Sequence, residues 1–176
     1  MVRECAASLL LLPVAGCSYL LDFSDQAIPR DAAPDAPYVQ AECDYKEPND
    51  SAATAALITA ADTGPAAICA AAGAAAGAGA EDHDFYRFTV PAATARVEVK
   101  ITYTYRPTGD LDLKLYGRTG AVVAESRGFG DTELISCPGS APACPALSAD
   151  DYVFEVFPAV TGAVNAYTFA LALTAR

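Results

Sequence analysis

Glu81-Asp82-His83-Asp84 packs three acids and the chain's single histidine into four residues, directly before the aromatic run Phe85-Tyr86-Arg87-Phe88. Two chemistries deserve a test against such a cluster. Carboxylates in close sequence can supply oxygens to a hard divalent cation. A histidine can take a proton from a Ser or Cys nucleophile. His83 is flanked by aspartates and is the only imidazole, which favours a surface histidine over a catalytic base. A zinc site needs more nitrogen or sulfur ligands than one histidine and scattered cysteines provide. Asp62-Thr63-Gly64 spells the D-T-G of aspartic proteases. That chemistry shares a proton between two such loops, and one triplet followed by Pro65 reads as a turn. No catalytic residues are assigned, and the chain is expected not to be an enzyme.

The ends of the chain set the compartment in which these residues must work. Residues 1–16 begin with Met-Val-Arg-Glu and continue through the apolar stretch Cys5–Gly16. This is too short to span a bilayer and has the form of a secretory signal. Val14-Ala15-Gly16-Cys17 resembles the lipobox of bacterial lipoproteins. The resemblance implies lipidation at Cys17, a membrane partner through the lipid anchor, and a place in the bacterial cell envelope. Ser18 after the cysteine points to the outer membrane. Residues 17–41 carry three prolines and scattered acids, so they are expected to form a disordered tether reaching roughly 25–30 Å. Residues 42–176 suit one compact domain.

Net charge is −11, a field that repels nucleic acid and anionic surfaces. Four cysteines remain in the domain: Cys43, Cys69, Cys137 and Cys144. An even count in an exported domain implies two disulfides, with three pairings open. The short Pro- and Gly-bent loop between Cys137 and Cys144 favours pairing those two, and Cys43 with Cys69.

The elements that position the acids have a period of two. Val97, Val99, Ile101, Tyr103 and Tyr105 alternate with Arg96, Glu98, Lys100, Thr102 and Thr104, the pattern of a strand with one wet face. Leu111, Leu113 and Leu115 alternate with Asp112, Lys114 and Tyr116, and Gly117-Arg118-Thr119-Gly120 turns that strand into the next. With segments around 66–72, 85–90, 121–127, 132–136, 151–157 and 166–175, about eight strands are expected. They imply an all-β antiparallel sandwich or jelly roll. Ser51–Ala61 is the one segment with a helical pattern, capped by Asp50 or Ser51. The Ala/Gly run 70–80 is expected to be a strand end followed by a loop.

Several motifs fall in a recognisable order: Glu47-Pro48-Asn49-Asp50, then Asp82-His83-Asp84-Phe85-Tyr86-Arg87-Phe88, then Asp110-Leu111-Asp112-Leu113-Lys114-Leu115-Tyr116, and late in the chain Asp151-Tyr152-Val153-Phe154. Together these resemble the bacterial pre-peptidase C-terminal domain, whose relatives include the collagen-binding modules of clostridial collagenases. The resemblance spans about residues 44–173. It implies a β-sandwich that is an accessory, non-catalytic module of secreted proteases. It also implies a calcium site, with Glu47, Asn49 and Asp50 as ligands and Asp82 and Asp84 as partners. Tyr45 departs from the pattern, since those relatives carry an acid there.

Two functional classes follow. One is a binding or interaction module, calcium-stabilised, facing an extracellular or envelope protein or polymer. The other is an envelope-tethered partner or inhibitor of a separate secreted hydrolase. Tyr116, on the wet face of its strand, and Phe129, in a Gly-flanked loop, are the candidate contact residues.

Overall fold

The computed structural model describes residues 40–43, 45–70 and 81–176. The signal segment, Cys17, nearly all of the tether and most of the Ala/Gly run lie outside the described residues. A four-residue helix, α1 (Gln40–Cys43), precedes eleven strands: β1 (Ala56–Leu57), β2 (Ala66–Ile68), β3 (Asp84–Val90), β4 (Thr94–Tyr103), β5 (Leu111–Tyr116), β6 (Val122–Ser126), β7 (Thr132–Cys137), β8 (Gly139–Ser140), β9 (Ala143–Cys144), β10 (Asp150–Pro158) and β11 (Asn165–Ala175).

Two sheets pack face to face. One has the order β1-β3-β10-β5-β6 and the other β2-β11-β4-β7, while β8 and β9 form a separate hairpin. All eight strands expected from the alternating pattern are present. Their odd-even alternation becomes the sandwich interior because successive side chains point to opposite faces. Tyr86 and Phe88 on β3, Phe154 and Val156 on β10, and Phe169 and Leu171 on β11 are all buried there. Tyr86 meets Phe169 at 4.7 Å and Phe154 at 5.0 Å between ring centres. Each such side chain contributes about 1.5–3 kcal/mol through burial.

Three features depart from the expected pattern. Ser51–Ala61 is not helical. Ser51–Thr54 form a turn closed by the hydrogen bond from Thr54 N to Ser51 O, and the chain then runs into β1. Hydroxyl contacts between Ser51 and Thr54 hold that turn, and such local bonds compete with helix. The sandwich is not wholly antiparallel, because β1 pairs with β3 in parallel. Finally, the outer side of β5 is not uniformly wet. Asp112 and its neighbour across the sheet, Phe157, are both buried. Lys114 and Arg127 cover that patch, lying 4.5 Å and 5.1 Å from the Phe157 ring centre. Long basic side chains can lay their stems over apolar surface in this way.

The disulfides join Cys43 to Cys69 and Cys137 to Cys144. The first ties the N-terminal segment to the end of β2. The second closes the β8–β9 hairpin, immediately beyond β7.

Candidate functional site

The N-terminal segment 45–50 runs to the start of β3 and is fixed there by backbone and side chain together. Phe85 N donates to Asn49 O at 2.9 Å, and Asn49 N donates to Glu47 Oε2 at 2.7 Å. Asn49 is fully buried. Tyr45, the residue that departs from the motif pattern, packs its ring against Phe169 at 6.2 Å. Its place in the fold is therefore apolar.

Glu47, Asp82 and Asp84 converge here, each offering an oxygen within 4.8 Å of the others. The Asn49 side-chain amide sits among them. It lies 2.8 and 3.0 Å from the two Glu47 carboxylate oxygens and 3.2 Å from Asp84 Oδ1. At those distances the amide nitrogen donates to both acids. Asp82 Oδ2 accepts from Cys69 N at 2.6 Å, so the disulfide-tied end of β2 also belongs to the cluster. Asp84, only 2 % exposed, points into the sandwich and accepts from the Tyr167 hydroxyl. Tyr167 accepts in turn from Tyr86 at 2.8 Å. Asp50 is exposed, and its charge bears on Asp82. Four of the five expected ligands thus meet, with the fifth alongside.

Electrostatically the cluster is a set of acids pressed together. Burial raises the Asp84 carboxyl well above its ordinary value, and the charges of Asp82 and Glu47 push it further. Glu47 and Asp82 are raised as well, burial first and neighbouring acids after it. Among the described residues no Lys, Arg or His pairs with any of the three. Three carboxylates and an amide oxygen are hard donors of the kind that calcium takes, with water completing about six to eight ligands.

His83 does not join these acids; its side chain remains 28 % exposed. Its Nδ1 meets Glu155 Oε1 at 2.6 Å, and Nε2 faces Glu81 at 3.7 Å. Both ring nitrogens therefore face carboxylates rather than a nucleophile. Glu155 also accepts from Tyr116 at 2.5 Å and has Lys114 at 3.9 Å. Tyr116 is thus half-buried and anchored through its hydroxyl, whereas Phe129 is 90 % exposed. Sequence reasoning missed Glu155, since alternation alone does not reveal which outer-face acid will be covered. Asp62 of the D-T-G triplet holds a turn. It accepts from Thr59 N at 2.9 Å and pairs with Lys46 at 2.8 Å, which lowers its pKa to about 2.

No family model matches the sequence, and no curated protein does. Among solved structures, the chain is similar to the pre-peptidase C-terminal domain of collagenase from Bacillus anthracis. That likeness has 13 % identity and a TM-score of 0.48, covering 67 % of this chain and 94 % of the other.

Proposed function

We propose that the chain is a non-catalytic, calcium-stabilised binding module of the bacterial cell envelope, held to a membrane through a lipid on Cys17. The convergence of Glu47, Asp82 and Asp84 oxygens within 4.8 Å carries this reading. A divalent cation would neutralise acids that otherwise repel one another. Asn49 would turn its amide oxygen inward and join them, and Asp50 would add charge at the rim. The ion would then lock the segment 45–50 onto β3 and the end of β2. Two disulfides favour an oxidising, extracytoplasmic setting. The resemblance to the pre-peptidase C-terminal domain adds the expectation of an accessory role.

Thermal unfolding of the purified chain tests the reading. Millimolar calcium should raise the melting temperature, by the equivalent of about 2.7 kcal/mol at a hundredfold excess over Kd. Asp82→Ala should abolish that rise. An unchanged melting temperature in calcium would defeat the proposal.

A further inference from the structure

The outer face of the five-stranded sheet carries one continuous row of paired residues. Leu57 of β1 lies opposite Arg87 of β3, Arg87 opposite Val153 of β10, Val153 opposite Tyr116 of β5, and Tyr116 opposite Val122 of β6. Four members are apolar or aromatic and one is a cation. Leu57 and Val122, at the two ends, are 61 % and 55 % exposed. In the middle lies a groove of about 660 Å³ lined by Phe85, Arg87, Tyr116, Arg118 and Val153. That volume falls within the range of roughly 300–1,000 Å³ usual for ligand sites. Phe85 and Tyr116 form its aromatic floor, their rings 6.4 Å apart and 29° from parallel.

The cation in this row is exposed and has no protein partner among the described residues. No hydrogen bond or ion pair engages the Arg87 guanidinium among the described residues. Its neighbour Arg118 reaches only Asp150, at 3.7 Å. By contrast, Lys46, Lys114 and Arg127 all have acids within 3.1 Å. A free guanidinium among apolar side chains matches a carboxylate, which it can hold through two parallel hydrogen bonds. The rim narrows the choice. Asp50, Glu81 and Asp151 surround the groove, so a polyanion such as an acidic polysaccharide would meet repulsion. A ligand with one carboxylate and an apolar neighbour meets far less of it and can place that charge on Arg87. At a peptide's C-terminus both groups stem from a single Cα, which suits a cation set in an apolar row.

We infer that this groove binds the C-terminal end of a partner polypeptide, with the terminal carboxylate on Arg87 and the last apolar side chain over Phe85, Val153 and Tyr116. The inference rests on the binding-module reading above and gives it a surface and a ligand chemistry. It uses none of Glu47, Asp82 and Asp84, which do not line the groove; Asp50 alone borders both the acids and the groove.

Nuclear magnetic resonance titration of the isotope-labelled full chain tests it. The probe is the peptide acetyl-Gly-Ala-Leu-Phe with a free C-terminus. It is compared with its C-terminal amide and with acetyl-Ala-Asp-Phe-Ala-amide, whose carboxylate is internal. The free peptide should give saturable shifts at the amides of Arg87, Tyr116 and Val153 at about millimolar concentration. Arg87→Gln should weaken binding about tenfold or more, and Arg96→Gln, on the other sheet, should not. Equal binding of the amide or of the internal-carboxylate peptide, shifts confined elsewhere, or none at all would overturn the inference. Melting in calcium is measured on the same samples. A lost peptide response with an intact calcium response refutes the groove alone, and loss of the calcium response refutes the module's cation site.

Discussion

Asp84 and Glu155 lie on adjacent strands of one sheet, are 2 % and 4 % exposed, and are driven in opposite directions. Burial works against the charge of both. Asp84 faces the interior, where Asp82 and Glu47 add to the penalty, and its pKa is pushed well up. Glu155 lies on the outer side, where His83, Tyr116 and Lys114 outweigh burial and draw its pKa down. A buried acid is thus tolerated in two ways, by protein partners or by something brought in. Glu155 has its cations built in. The cluster around Asp84 is short of positive charge, and that shortage is the physical case for a calcium ion.

The same acid-to-amide change should therefore have opposite consequences at the two positions. Glu155→Gln leaves His83 and Lys114 without their shared acid and should destabilise the chain by about 2–4 kcal/mol in urea unfolding. Partial exposure of both partners screens the pair and keeps the loss in the lower half of that range. Asp84→Asn, measured in EDTA near neutral pH, should be neutral or stabilising by about 1 kcal/mol, because it removes a like charge and keeps an acceptor for Tyr167. A loss at Asp84 as large as that at Glu155 would erase the distinction between the sites.

Acidity sharpens the contrast further. Glu47, Asp82 and Asp84 hold their protons more tightly in the folded chain than in the unfolded one. The folded state then binds more protons, and their contribution to stability falls as pH rises from the ordinary carboxylate range through their raised values. Calcium competes with those protons. The gap between melting temperatures in calcium and in EDTA should accordingly narrow as pH is lowered through that interval. Glu155, with its lowered pKa, contributes stability that is present above its unfolded value and is lost as pH falls through its folded one.

A smaller effect concerns His83, whose titration is unambiguous because the chain has no other histidine. The Glu155 carboxylate raises its pKa, so Glu155→Gln should shift its ring resonances to titrate at lower pH. The smallest expected effect is at Phe129. Replacing this exposed side chain with Ser should change stability by no more than about 0.5 kcal/mol.

Much of this architecture was legible in the residues. Strict alternation in β3, β4, β5 and β11 marks the interior because one face of each strand must be covered and the other need not be. The pairing of Cys137 with Cys144, one of three open, is favoured because the Pro- and Gly-bent loop brings its ends together, and the disulfide joins them. The helix anticipated over 51–61 failed because Ser51 and Thr54 satisfy each other locally, which the apolar spacing of the segment does not reveal. The meeting of the acids Glu47, Asp82 and Asp84 was legible only through the order of motifs. Glu47 and Asp84 are brought together by tertiary docking of 45–50 on β3, and no local rule encodes that contact. The role of Glu155 was hidden for a similar reason: its partners come from β5 and from the residue preceding β3.

Isothermal titration of the metal-free chain with calcium tests the central claim most directly. The account predicts a single saturable site, present in the wild type and in Arg87→Gln and absent in Asp84→Asn. A wild-type chain with no calcium heat, or a site that survives Asp84→Asn, would contradict it.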